Sequence, residues 1–195
     1  MSEVLEFRSP VAGALKDIGP AAAAGVVVCE ERSRQAATVI AYGPADEIAA
    51  RLKGAFGLKL IPGSKASSGG NLTFVATGPR AWLALSEDAA SLSASLRDAL
   101  GDSAAVTEQS SGFTVFCISG PKARATFEKG LGLDLHPRAF EAGDAASTSC
   151  AHLNVVIWQI DNQPIYEIAV ARSFAVAFCH WLTESAAEFG LKVLP

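Results

Sequence analysis

The chain says one thing twice, and that repetition limits what it can fold into. Val39-Ile40-Ala41-Tyr42-Gly43-Pro44 leads through a helical stretch to Gly57-Leu58-Lys59-Leu60. Val115-Phe116-Cys117-Ile118-Ser119-Gly120-Pro121 leads through another to Gly132-Leu133-Asp134-Leu135. The later part of each half also matches: an apolar strand, a short turn, a second strand, then an Ala-rich helix ending at Gly. These are Leu72–Leu85 with Ala89–Leu100 and Gly101, and His152–Val170 with Arg172–Phe189 and Gly190. Each half therefore reads β-α-β-β-α. With helices on one face of an antiparallel sheet, that order is a split, ferredoxin-like unit. One such unit is small for a closed core, so the expectation is an α+β fold of two pseudo-repeated halves packed tightly together. Residues 1–35 read as an extended N-terminal arm, 36–110 as the first half and 111–195 as the second.

Local patterns place the elements. Thr38–Tyr42 is β-branched and apolar, as in a buried strand. Pro44 suits a helix start, where its missing N–H is no loss. Ile48, Leu52 and Phe56 recur at four-residue spacing over Ala45–Phe56, and Gly57 supplies the C-terminal stop. Pro62–Asn71 reads as a Gly/Ser loop. Leu72–Thr77 and Ala81–Leu85 form a hairpin across Gly78-Pro79-Arg80, and Ala89–Leu100 is the next helix. In the second half, Phe113–Ser119 is a strand and Pro121–Gly130 a helix. His136–Gly143 is irregular. His152–Ile160 and Ile165–Val170 form a hairpin turning at Asp161-Asn162-Gln163-Pro164. Ser173–Phe189 is a helix with Phe174, Ala177, Phe178, Trp181, Leu182 and Phe189 as its inner stripe and Ser173 as its cap. In the arm, only Val26–Cys29 suggests a strand.

Composition removes several functions. The net charge is −4 and the longest basic cluster is Arg32-Ser33-Arg34. A phosphate-neutralising patch for nucleic acid is therefore not expected. No apolar run approaches the roughly 18 residues of a spanning helix, and Met1–Glu6 carries acids where a secretory signal needs a base. A cytoplasmic location without membrane attachment is the expectation. Charged residues are only 18% of the chain; a surface partly covered by other chains, or a high alanine content, would each account for that.

The candidate chemistry is thin. Cys29, Cys117, Cys150 and Cys179 contain no C-x-x-C pair, so reduced thiols are expected. Cys150 and His152 share a face if they share a strand, but Cys179 and His180 point about 100° apart on a helix, and four convergent zinc ligands do not assemble. Cys117 sits mid-strand among apolar neighbours, which makes a thiol inert. Gly63–Gly70 is glycine-rich but lacks the order of a phosphate-binding loop. Asp161 at a tight turn suits a local bond to backbone. Glu167 points opposite to Tyr166 and Ile168. Trp158, Tyr166, Phe174, Phe178 and Trp181 read as core, with any that protrude serving as interface anchors. Arg172 could pair with a carboxylate or a partner. The expectation is no catalytic, cofactor-binding or metal-ligating residue.

One run is specific. Ile118-Ser119-Gly120-Pro121-Lys122-Ala123-Arg124, Lys129-Gly130, Leu133-Asp134-Leu135-His136-Pro137, Phe140, Gly143 and Ala151-His152 occur in order. Trp158-Gln159-Ile160-Asp161, Pro164, Tyr166-Glu167, Arg172-Ser173-Phe174-Ala175, Trp181-Leu182 and Glu188-Phe189-Gly190 continue it. This run, over about residues 112–190, resembles the gamma-subunit family of heterotetrameric sarcosine oxidases. Cys179 departs from it, standing where a bulky aromatic is expected. Gly78-Pro79-Arg80-Ala81-Trp82-Leu83-Ala84-Leu85 is similar to an element of that family and of the folate-binding aminomethyltransferases. The resemblance implies a complex of alpha, beta, gamma and delta chains. It would demethylate sarcosine oxidatively to glycine, form hydrogen peroxide and pass the methyl carbon to tetrahydrofolate. FAD, FMN, NAD and zinc would sit in the other subunits. The gamma chain would be a non-catalytic assembly subunit, related in fold to the aminomethyltransferases. The alternatives are a folate-binding module and an aminomethyltransferase-like enzyme, for which Asp161 would be the carboxylate.

Overall fold

The computed structural model describes residues 8–19, 24–88 and 91–195. The expected helix start at Ala89 and the first residues of the arm lie outside them. The chain is a mixed α+β protein with two sheets. One is built from β2 (Gln35–Ala41), β3 (Ala66–Gly69), β4 (Leu72–Gly78), β5 (Ala81–Ser86) and β6 (Ala104–Glu108). Its order is β3-β4-β5-β2-β6, antiparallel throughout. The other contains β1 (Val26–Glu31), β7 (Phe113–Ser119), β8 (Ala145–Cys150), β9 (Leu153–Asp161), β10 (Ile165–Ala171) and β11 (Leu191–Leu194). Its order is β11-β1-β7-β10-β9-β8, with β1 and β11 parallel and the other pairs antiparallel.

Alternation along the strands sorts side chains into three cores. Helices α1 (Ala45–Phe56) and α2 (Leu92–Leu100) lay Ile48, Leu52, Leu96 and Leu100 on the outer face of the five-stranded sheet, against Val39, Phe74 and Ala84. Helices α3 (Ala123–Phe127) and α4 (Ala175–Ala186) lay Phe127, Phe178 and Leu182 against Phe116, Ile118 and Ile168 of the six-stranded sheet. The opposite residues of both sheets, among them Leu83, Leu85, Val115, Val156 and Trp158, form the third core between them. The order of layers is helix, sheet, sheet, helix.

α1 keeps its expected limits. Its acids Asp46 and Glu47 lie in the first turn and Lys53 in the last, each complementing the helix dipole, and Gly57 closes it at φ 67° with its N–H bonded to the Lys53 carbonyl. The strand expected at Val26–Cys29 forms within β1, an inner strand between β7 and β11. Elsewhere the structure corrects the sequence expectations. The Gly/Ser loop contains β3. The helix over Pro121–Gly130 shortens to α3. A 3-10 turn at Arg172–Phe174 precedes α4, and Ser173 is not its cap. α4 buries Ala175, Phe178, Cys179, Leu182 and Ala186, so its inner stripe is displaced and Phe174 stands 49% exposed.

Candidate functional site

The groups singled out by sequence do not converge. Cys150 ends β8, whereas His152 occupies the two-residue turn into β9, where Ala151 and His152 both have positive φ (48° and 68°). The expected shared strand face therefore does not form. Asp161 accepts a hydrogen bond from the Gln163 amide at 3.2 Å, the local turn role its position suggested. Glu167 does point opposite to Tyr166 and Ile168, but onto the buried inter-sheet side. There it meets Arg34 at 2.7 Å, and Arg34 also approaches Glu87 at 3.5 Å and Glu31 at 4.0 Å. Burial, followed by the charges of neighbouring Glu167 and Glu87, raises the Glu31 carboxyl above its ordinary value despite Arg34. Arg172 is held by the arm: its guanidinium donates to the Arg8 carbonyl. Among the described residues no cluster of three or more His, Cys, Asp or Glu side chains could hold a metal.

Burial governs the thiols. It pushes Cys150 and Cys179 up to about 12, and Cys117 to about 11 with help from the Glu167 and Glu31 charges. Cys29 is half-buried and also raised, chiefly by burial. Because the thiolate is the nucleophile, alkylation at pH 8 with iodoacetamide should label Cys29 first. Cys150 and Cys179 should react only after denaturant is added. Peptide mapping over a time course measures the order, and early labelling of Cys150 would contradict it.

One concavity was not visible in the sequence. It is a cleft of about 500 Å³ at the end of the β4–β5 hairpin, beside the junction of the sheets. The first two turns of α1 give Ala45, Asp46 and Ala49. The segment Leu60–Ser64 forms one wall, the hairpin turn and Trp82 the floor, and Ala145–Ser147 of β8 the far side. Lys65 ties the two sheets together here, bonding Asp144 at 2.6 Å and approaching Glu141 at 3.6 Å. Arg80 stands in the cleft lining at φ 63°, the left-handed region, in a turn position that glycine would occupy without strain. Its guanidinium donates to the Tyr42 carbonyl at 3.2 Å and, among the described residues, makes no ion pair. The signals for the cleft were the Gly78-Pro79-Arg80 turn and Trp82; its other walls come from distant segments that no local pattern joins.

The layered architecture, two sheets face to face with helices outside them, recurs in a solved aminomethyltransferase. Glycine cleavage system aminomethyltransferase T from Bartonella henselae superposes with a TM-score of 0.65 over 88% of this chain and 48% of that one, at 14% identity. This likeness is one of fold alone. The model of the sarcosine oxidase, gamma subunit family matches residues 41–188, and the chain belongs to that family. A sarcosine oxidase subunit gamma from Arthrobacter sp. is 29% identical over 185 residues, covering 93% of this chain and 91% of that one. Another, from Corynebacterium sp. (strain P-1), is 37% identical over 113 residues, a match spanning 57% of this chain and 55% of that relative. A chain of heterotetrameric sarcosine oxidase from Corynebacterium sp. U-96, solved in complex with pyrrole 2-carboxylate, superposes with a TM-score of 0.80. It does so at 26% identity over 94% of this chain and 96% of that one. No helix among the described residues is long and apolar enough to cross a membrane.

Proposed function

We propose that this chain is the gamma subunit of a cytoplasmic heterotetrameric sarcosine oxidase. It packs against the alpha, beta and delta chains and stabilises the assembly, without an active centre of its own. On this reading FAD, FMN, NAD and zinc belong to the other chains. The observation that carries the proposal is the superposition on one chain of such a complex over nearly the full length of both. The low charged fraction of 18% fits a surface partly covered by neighbours.

We also infer that the two sheets descend from one duplicated unit. Written from the outer hairpin inward, β3-β4-β5-β2-β6 and β8-β9-β10-β7-β1-β11 have the same order except for β1. Omitting the edge strands β3 and β8, each copy is a β-α-β-β-α-β ferredoxin-like unit. The arm adds β1 to the second copy, between β7 and β11.

The test is assembly. Co-expressed with the alpha, beta and delta chains, the protein should co-elute with them in size-exclusion chromatography at constant stoichiometry. Omitting it should lower the thermal midpoint of the complex by several degrees, because a partner that binds only the folded state stabilises it. A chain that remains separate from the other three, under conditions where they assemble, overturns the proposal.

A further inference from the structure

We infer that the cleft beside Arg80 is where a larger subunit docks, and that the docking segment presents an acidic side chain next to an apolar one. The inference rests on the subunit reading and gives it a surface and a chemistry.

The apolar part of the argument starts from sheet alternation. Ile40 lies on the face of β2 opposite the buried residues Val39 and Ala41, and Tyr42 follows directly after the end of the strand. That face is buried at Ala36, where the six-stranded sheet covers it. Toward the other end it is open: Ile40 is 53% exposed and Tyr42 is 67% exposed. Arg80 joins this open end to the cleft. Its carbonyl accepts from the Ala41 amide at 2.9 Å and its guanidinium donates to the Tyr42 carbonyl. On the cleft's own wall Ile61 is 44% exposed. A small molecule within the cleft would leave Ile40 and Tyr42 in water. A protein segment crossing the rim would cover them and seat one side chain against Trp82, Leu60 and Ile61, the arrangement of an interface anchor in its pocket.

Charge gives the rest. The guanidinium carries five N–H donors in a planar fork that matches a carboxylate, and one of its nitrogens bonds the Tyr42 carbonyl. The other titratable group in the lining, Asp46, is on the α1 wall. The neighbouring Lys65 is already paired with Asp144 and approached by Glu141. An incoming acid is therefore drawn to Arg80 and away from Asp46 on α1. Arg80 is held in a backbone conformation that costs about 1 kcal/mol or more for a residue with a Cβ. The turn itself would be better served by glycine, so its strain is consistent with a role for the side chain outside the fold.

Arg80→Gly separates the two roles. It removes the guanidinium and relaxes the turn. In the full chain its thermal midpoint should be unchanged or higher, while affinity for the co-purified larger chains falls about tenfold or more, the loss expected of a central anchor. Ile61→Asp should weaken binding similarly through an unpaired like charge. Val176→Asp, at an exposed site on α4 across the molecule, should bind as wild type. Affinity is read by biolayer interferometry with the assembled alpha, beta and delta chains immobilised. If wild type binds and Arg80→Gly and Ile61→Asp bind equally well, the docking site is elsewhere and the inference is wrong. A loss confined to Val176→Asp overturns it in favour of the α4 face. Failure of wild type itself to bind refutes the subunit reading instead.

Discussion

Replacing Gly120 with alanine should cost about 3 kcal/mol or more, combining a forbidden backbone region with overpacking. The same change at Gly43, its counterpart in the first Gly-Pro turn, should cost less than about 0.5 kcal/mol. Gly120 has φ 108°, and a Cβ there would lie 2.5 Å from the Gly25 carbonyl oxygen and 3.1 Å from its carbonyl carbon. Both atoms are backbone and cannot swing aside. The obstacle is the entry to β1: the Gly25 carbonyl accepts from the Lys122 amide at 2.9 Å, clamping the start of that strand against the second turn. A Cβ on Gly43 meets only the Glu47 carboxylate at 3.3 Å, the far end of a flexible side chain. For a chain of this size, about 3 kcal/mol corresponds to a fall of roughly 6–12 °C in thermal midpoint. Circular dichroism melting of the two variants checks the contrast. Equal midpoints would show that the close approach at Gly120 relaxes without cost.

That asymmetry also explains how much of the fold could be read in advance. α1 was legible to its ends because Ile48 and Leu52 mark one face and Gly57 closes it in the left-handed conformation. β8 was not legible: Ala145–Cys150 is small and polar, and only its two ends are fully buried. Strand pairing supplies what its side chains do not announce. The α4 stripe was misplaced because Phe174 is conspicuous while Ala175 and Cys179 are small. The helix packs through Ala175 and Cys179 alongside Phe178 and Leu182, and Phe174 in the preceding turn stays outside. The place of β1 is a long-range fact, set by pairing with residues nearly ninety and over a hundred and sixty positions away. The cleft is similarly non-local. Its lining comes from four separated segments, so the sequence exposed its Arg80 turn and Trp82 but not their convergence with Ile61 and Ala145.

The second large effect belongs to Arg34. Its side chain is 17% exposed and that of Glu167 is 7% exposed, so the pair closes one side of the inter-sheet core with little water around it. Replacing Arg34 with methionine leaves the Glu167 charge buried beside Glu31 and Glu87. Removing one partner of a buried ion pair costs about 3–5 kcal/mol, and the remaining solvent at this site puts the expectation near the lower end, about 3 kcal/mol. The pH dependence has a definite sign. The raised Glu31 carboxyl already disfavours its ionised form in the fold, so its destabilising contribution is present above its folded pKa and disappears as pH falls below its unfolded one. In Arg34→Met the three carboxylates repel without a central cation, so the penalty should be greatest near pH 7–8 and should shrink toward pH 5 as protons are taken up. The double variant Arg34→Met/Glu167→Leu removes the buried charge with its partner and should recover most of the loss, because apolar replacement of a whole buried pair is often neutral. Urea unfolding of wild type, Arg34→Met and the double variant at pH 5, 6, 7 and 8 measures all three expectations. A pH-independent loss in the single variant, left unrepaired in the double, would mean that the arginine's packing, rather than its charge, holds the two sheets together at this edge.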